Sequence, residues 1–171
     1  KGYMYLTAVR DWYSKYVLSW ELSNTMDVEF CLRSLRSALK FGIPEIFNTD
    51  QGSQYTSHIF TQTLLNNNIK ISMDGVGRAT DNICIERFWR DVKYECVYIY
   101  KPDTVMKLHR LIKEYINFYN NQRPHQTLSN SVPAEVFNKI NGFQQRKKET
   151  KKEKHNTYNS TNSYIYSSSY F

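Results

Sequence analysis

Two carboxylates in this chain have surroundings that could do chemistry. Asp50 lies in Asn48-Thr49-Asp50-Gln51-Gly52-Ser53-Gln54-Tyr55, directly after the short apolar pair Ile46-Phe47. Glu86 lies in Asp81-Asn82-Ile83-Cys84-Ile85-Glu86-Arg87-Phe88-Trp89-Arg90-Asp91-Val92-Lys93, a run with helical periodicity, and 35 residues separate the two acids. One acid at the end of a strand and another inside a long helix can converge on a pair of divalent ions. The chemistry that arrangement suggests is metal-assisted phosphoryl transfer on nucleic acid. Oxygen ligands suit Mg²⁺ or Mn²⁺, and the sequence offers no thiolate cluster or paired histidines for zinc.

The elements that must position these acids follow from patterning. Tyr3–Val9 and Tyr16–Leu22 are rich in β-formers and are joined by Asp11-Trp12-Tyr13-Ser14-Lys15, which predicts an antiparallel hairpin. Asp11 is a third candidate acid, but a hairpin-end residue bonding to its own turn is the better account of it. Thr25 or Asp27 is expected to cap a helix whose apolar positions are Val28, Cys31, Leu32, Leu35, Ala38 and Leu39, ended by Gly42 and Pro44. Ile46-Phe47 is then a buried strand leading into Asp50. Gly52 is expected to allow a tight turn, Ser57 to cap a helix from His58 to Asn67, and Ile69–Met73 to form a further strand, followed by a flexible loop at Asp74–Arg78.

The helix that carries Glu86 starts near Asp81. At about 100° per residue, Asn82, Glu86, Arg90 and Lys93 fall within about 80° of one another. Ile85, Phe88, Trp89, Val92 and Cys96 form an adjacent apolar stripe. The stripe should pack on the sheet, turning Glu86 toward Asp50 and lining the approach with the cations Arg90 and Lys93. Asn82 has two possible roles: a first-turn helix residue, or a hydrogen-bonding group that orients a metal ligand. Pro102 ends the helix, Asp103 or Thr104 caps the next, and Pro133 opens a last short one. Arg123-Pro124-His125 is expected to brace these later helices rather than touch nucleic acid.

From Gln144 the composition changes. Arg146, Lys147, Lys148, Lys151, Lys152 and Lys154 crowd together, and Asn, Ser, Thr and Tyr dominate after His155. Residues 142–171 are therefore expected to be a basic, then polar and disordered tail after a folded unit at 1–141. The whole chain of 171 residues carries a net charge of +7, which favours an anionic partner. No apolar run reaches membrane-span length. Three cysteines without a CxxC pair indicate reduced thiols and a cytoplasmic setting.

The quoted runs, with Lys93 and Tyr119-Asn120…Arg123-Pro124-His125, resemble the integrase core of bacterial insertion-sequence transposases, most closely the orfB type whose catalytic core is like that of retroviral integrases. The resemblance covers roughly residues 1 to 141, and the Asp-Asn…Glu…Lys block is its most specific part. It implies an α/β, ribonuclease-H-like mixed sheet with flanking helices. It also implies three acids (Asp, Asp, Glu) holding two Mg²⁺ or Mn²⁺ ions, with Asp50 second and Glu86 third, for cleavage and transfer of DNA strands. Lys93 matches the family's DNA-contacting cation. Implied partners are the element's DNA ends and target DNA, with a homo-oligomer assembled on them and no membrane, in the bacterial cytoplasm at the nucleoid.

In that family the first acid lies on the strand before the hairpin arm at Tyr3–Val9, and the sequence shows no such strand. That strand is central, so the sheet is expected to have a gap, and the chain alone to be inactive and poorly folded. The alternative function is a non-catalytic DNA-binding remnant of a transposase. A ribonuclease-H-type nuclease is a weaker third reading.

Overall fold

The computed structural model describes residues 3–73, 79–141 and 163–170, with the side chains of 79–84 and 163–170 excepted. The expected loop at Asp74–Arg78 and the basic run Arg146–Lys154 lie outside the described residues.

The hairpin forms as patterned: β1 (Tyr5–Asp11) pairs antiparallel with β2 (Val17–Ser23), with a bulge between Val9 and Arg10. Alternation along β1 sends Leu6 and Ala8 to one face of the sheet and Val9 to the other. Helix α1 (Val28–Leu39) follows, and its cap is Asp27, whose Oδ1 accepts from the Phe30 N–H at 3.0 Å. Thr25 supports the cap by donating to Asp27 Oδ2 at 2.7 Å. That bond, then the backbone one, lowers the Asp27 pKa.

β3 (Ile46–Thr49) and β4 (Lys70–Met73) run parallel, joined through α2 (His58–Asn66). Ser57 precedes α2 but does not cap it through its side chain; its hydroxyl donates to the Gln54 carbonyl at 2.6 Å instead. The long helix comprises α3 (Ala79–Asp91), one π-helical stretch at Val92–Val97 and a last turn, α4 (Tyr98–Tyr100). Thr104 caps α5 (Val105–Asn121), and a final helix, α6, spans 133–141.

The sheet differs from the sequence expectation at its centre. Ser163–Tyr170 forms a strand, β5, and the order is β2-β1-β5-β3-β4. The expected gap is filled, and this stretch is not the disordered tail expected of its composition. β5 is antiparallel to β1 and parallel to β3, so the facing edges of both strands are paired. Composition argued against order because serine buries little apolar surface. Ladder hydrogen bonds are made by the backbone, however, and Tyr164-Ile165-Tyr166 has high β-propensity.

Helices cover both faces. One core joins Val9, Leu18 and Phe47 to α1, α2 and Phe137 of α6. The other joins Leu6, Ala8 and Val17 to Ile85, Phe88, Trp89, Val92 and Cys96 of the long helix and to α5. Every residue of the predicted stripe on the long helix is buried. Cys31 and Cys96 are buried, and burial pushes the Cys96 thiol up to about 11, as suits a reduced core residue.

Candidate metal and nucleic-acid site

Asp50 stands where β3 ends, and its position is fixed by the turn that follows. Its Oδ1 accepts from the Gly52 N–H at 2.9 Å, while the Gly52 carbonyl accepts from the Tyr55 N–H at 2.9 Å. A Cβ on Gly52 would lie 2.9 Å from Asp50 Oδ1. A side chain at position 52 would therefore have to displace that carboxylate oxygen. Tyr55 anchors the turn from below: it is buried and edge-on to Phe60, with centroids 5.4 Å apart, and its hydroxyl lies 3.4 Å from Thr7 Oγ1. An acid at the carboxyl end of a parallel strand is where open α/β sheets place their ligands.

Glu86 is exposed on α3 beside the buried Ile85 and Phe88, as the helical phase predicted. The helix that carries Glu86 packs over β5, the strand next to β3. Arg90 is exposed one turn on, and Lys93 is half-buried at the start of the π-helical stretch. The side chain of Asn82 lies outside the described residues. Among the described residues no three His, Cys, Asp or Glu side chains come together as a metal site. The donors at hand, Asp50 and Glu86, are hard carboxylate oxygens of the kind Mg²⁺ takes in ones and twos, its other positions going to water and phosphate.

The tempting third acid is excluded by geometry. Asp11 is buried, and its Oδ2 accepts from both the Ser14 N–H at 2.7 Å and the Ser14 hydroxyl at 2.5 Å. It closes the hairpin turn.

The bracing expected of Arg123 is present. It bonds Asp91 Oδ2 at 3.0 Å and Glu95 Oε1 at 2.5 Å, tying the end of α5 to the helix that carries Glu86. Burial raises the pKa of Asp91, opposed by Arg123. Tyr115 joins the same cluster by donating to Glu95 Oε2 at 2.9 Å. Sequence reasoning named Asn120 only within a quoted motif and missed its role. Buried in α5, it takes the Val17 N–H on its Oδ1 at 2.9 Å and donates to the Val17 carbonyl at 3.0 Å, which occupies both backbone groups beside the β-bulge. Its signal was a lone amide among the apolar positions of a helix. Arg10 was missed too: it is 2% exposed, with its guanidinium 5.8 Å from the centre of the Phe88 ring and Nη1 3.4 Å from the Tyr119 hydroxyl.

His125 packs edge-on to Tyr119 with centroids 4.8 Å apart. Burial first, then Arg123, Lys15 and Arg10, depress its pKa to about 4. The fold keeps the imidazole neutral, whereas the unfolded chain protonates near pH 6.5. Unfolding therefore takes up a proton between those values, and stability should fall as pH drops from about 6.5 toward 4. Half-burial limits the effect to about 1–2 kcal/mol. Urea midpoints at pH 7 and pH 4.5 should show that loss, and His125→Gln should remove it.

The chain matches two families described as integrase core domain, one over residues 1–79 and the other over residues 67–133. It belongs to the integrase core family. Similar curated proteins are insertion-sequence proteins. The insertion element IS600 31 kDa protein of Shigella sonnei is 31% identical over 78% of this chain and 51% of its own length. Transposase InsF of insertion sequence IS3A of Escherichia coli is 30% identical over 81% and 50%. The chain thus spans about half the length of these relatives. Among solved structures, the HTLV-2 integrase catalytic core domain in complex with magnesium superposes at a TM-score of 0.61 and 20% identity, covering 78% of this chain and 84% of that one. The simian T-cell lymphotropic virus intasome gives 0.66 and 20%, covering 77% and 47%. Integrase cores of this kind are ribonuclease-H-like, and the mixed sheet between two helical layers is that fold.

Proposed function

We propose that this integrase core serves DNA transposition: cleavage of DNA and transfer of its strands with a divalent metal, Mg²⁺ or Mn²⁺, held at Asp50 and Glu86. The observation that carries the reading is the Gly52-fixed carboxylate at the end of β3, with a second acid exposed on the helix over the neighbouring strand. A divalent ion bound there supplies a nucleophile activated at neutral pH and balances charge at phosphorus. Gly52 holds one oxygen of Asp50 and so orients the other. Arg90 and Lys93 follow Glu86 along the helix, and they position the DNA backbone by binding phosphate. The partners are the element ends and target DNA, engaged by an oligomer of this chain in the bacterial nucleoid. Asn82 would orient Glu86 from one helical turn away.

By the resemblance the first of the three acids stands on the strand beside β1. Here that strand is β5, Ser-Tyr-Ile-Tyr-Ser-Ser-Ser-Tyr, which carries none. That favours a second reading, a non-catalytic DNA-binding chain. Supercoiled DNA with and without Mn²⁺ separates the two. Nicking that needs Mn²⁺ supports the enzyme. Metal-independent binding with a steep salt dependence and no nicking supports the binder.

Lys93→Ala and Arg90→Ala should each weaken DNA binding about tenfold at low salt and reduce the slope of log affinity against log salt by about one. Fluorescence anisotropy across a salt series checks this, and an unchanged slope would remove the phosphate role.

A further inference from the structure

The centre of the sheet is held by a strand that fits its place through its backbone more than through its sequence. β5 pairs with all seven residues of β1, from Tyr5↔Tyr170 to Asp11↔Tyr164, and with all four of β3, from Ile46↔Ser163 to Thr49↔Tyr166. Its neighbours Leu6, Ala8, Val9 and Phe47 are all fully buried. A strand flanked on both edges and covered on both faces ordinarily carries an almost continuous apolar run. β5 has one aliphatic residue, Ile165, and four serines, of which Ser167 and Ser169 stand in register with Ala8 and Leu6. The slot is thus more apolar than its occupant, a mismatch between local sequence and global position.

We infer that the slot between β1 and β3 is an acceptor site for an extended peptide strand, which β5 fills as an exchangeable intramolecular occupant. The ligand class is a peptide of about eight residues running antiparallel to β1 and parallel to β3, with aliphatic residues where β5 has Ser167 and Ser169. Affinity comes from main-chain hydrogen bonds to two edges at once, and selectivity from the alternate positions. β5 belongs to the same chain as β1 and β3, so a competing strand must overcome the effective concentration of a covalently linked one. Tyr166 pairs with Thr49, the residue directly before Asp50. An incoming strand therefore also sets which residue stands beside that acid, a consequence that rests on the metal-site reading above.

The test uses the full chain and a synthetic peptide of the 163–170 sequence with valine at positions 167 and 169, followed by amide hydrogen exchange. The expected result is saturable one-to-one capture of the peptide. Exchange should then rise at the chain's own residues 163–170 while β1 and β3 stay protected. The unaltered 163–170 peptide should bind at least tenfold more weakly. A full chain carrying Ser167→Val and Ser169→Val should resist displacement and unfold at higher urea. Absence of capture, or capture that leaves residues 163–170 protected, would overturn the inference. So would a doubly substituted chain displaced as readily as the original. None of these readouts depends on metal or DNA, so they stand or fall separately from the catalytic reading.

Discussion

Replacing Glu86 by Gln should abolish metal-dependent DNA cleavage, by at least about a thousandfold, while leaving DNA affinity within about twofold. The substitution keeps the size and hydrogen-bonding capacity of an exposed side chain and removes only its charge. Stability should therefore change by less than about 0.5 kcal/mol, the usual range for surface substitutions. An amide oxygen is a neutral and weaker ligand than a carboxylate for a hard divalent ion, so the loss falls on chemistry rather than on DNA binding. The measurement is single-turnover cleavage of an end-containing DNA by a protein spanning the full length of the curated relatives, with anisotropy on the same samples. Cleavage persisting in the variant would show that Glu86 holds no metal.

The second large effect concerns the scaffold. Arg123→Ala should destabilise the chain by about 2–3 kcal/mol, read from the urea midpoint. It removes two charge-assisted hydrogen bonds and leaves Asp91, whose carboxyl is already pushed up by burial, without its cation. Arg123→Lys should recover only part of the loss, because an ammonium cannot span Asp91 and Glu95 as the planar guanidinium does. A loss below about 0.5 kcal/mol would show that the cluster does not hold α5 to the long helix.

The sequence made visible what short-range chemistry dictates. The 3.6-residue spacing from Ile85 to Cys96 predicted the buried stripe and hence the outward aspect of Glu86 and Arg90. Asp11 was legible as a turn residue because the serine that satisfies it is three positions away. Gly52 announced a constrained turn, although its reason is the closeness of Asp50 Oδ1 rather than an unusual backbone angle.

What stayed hidden was non-local. β5 lies more than a hundred residues from both strands it joins, and its serines gave no apolar pattern to reveal a central strand. Asn120 looks like any polar residue in a helix until Val17, 103 positions away, is seen on its amide. Arg10 sits in a β-strand pattern that gives no hint of burial against Phe88 and Tyr119. The π-helical stretch at Val92–Val97 likewise follows from no residue type in it.

Mn²⁺ titration followed by electron paramagnetic resonance tests most directly the proposal that divalent ions bind at Asp50 and Glu86. Saturable binding to the original chain is expected, weakened at least tenfold in Asp50→Asn and in Glu86→Gln alike. Binding unchanged in both single variants would contradict it.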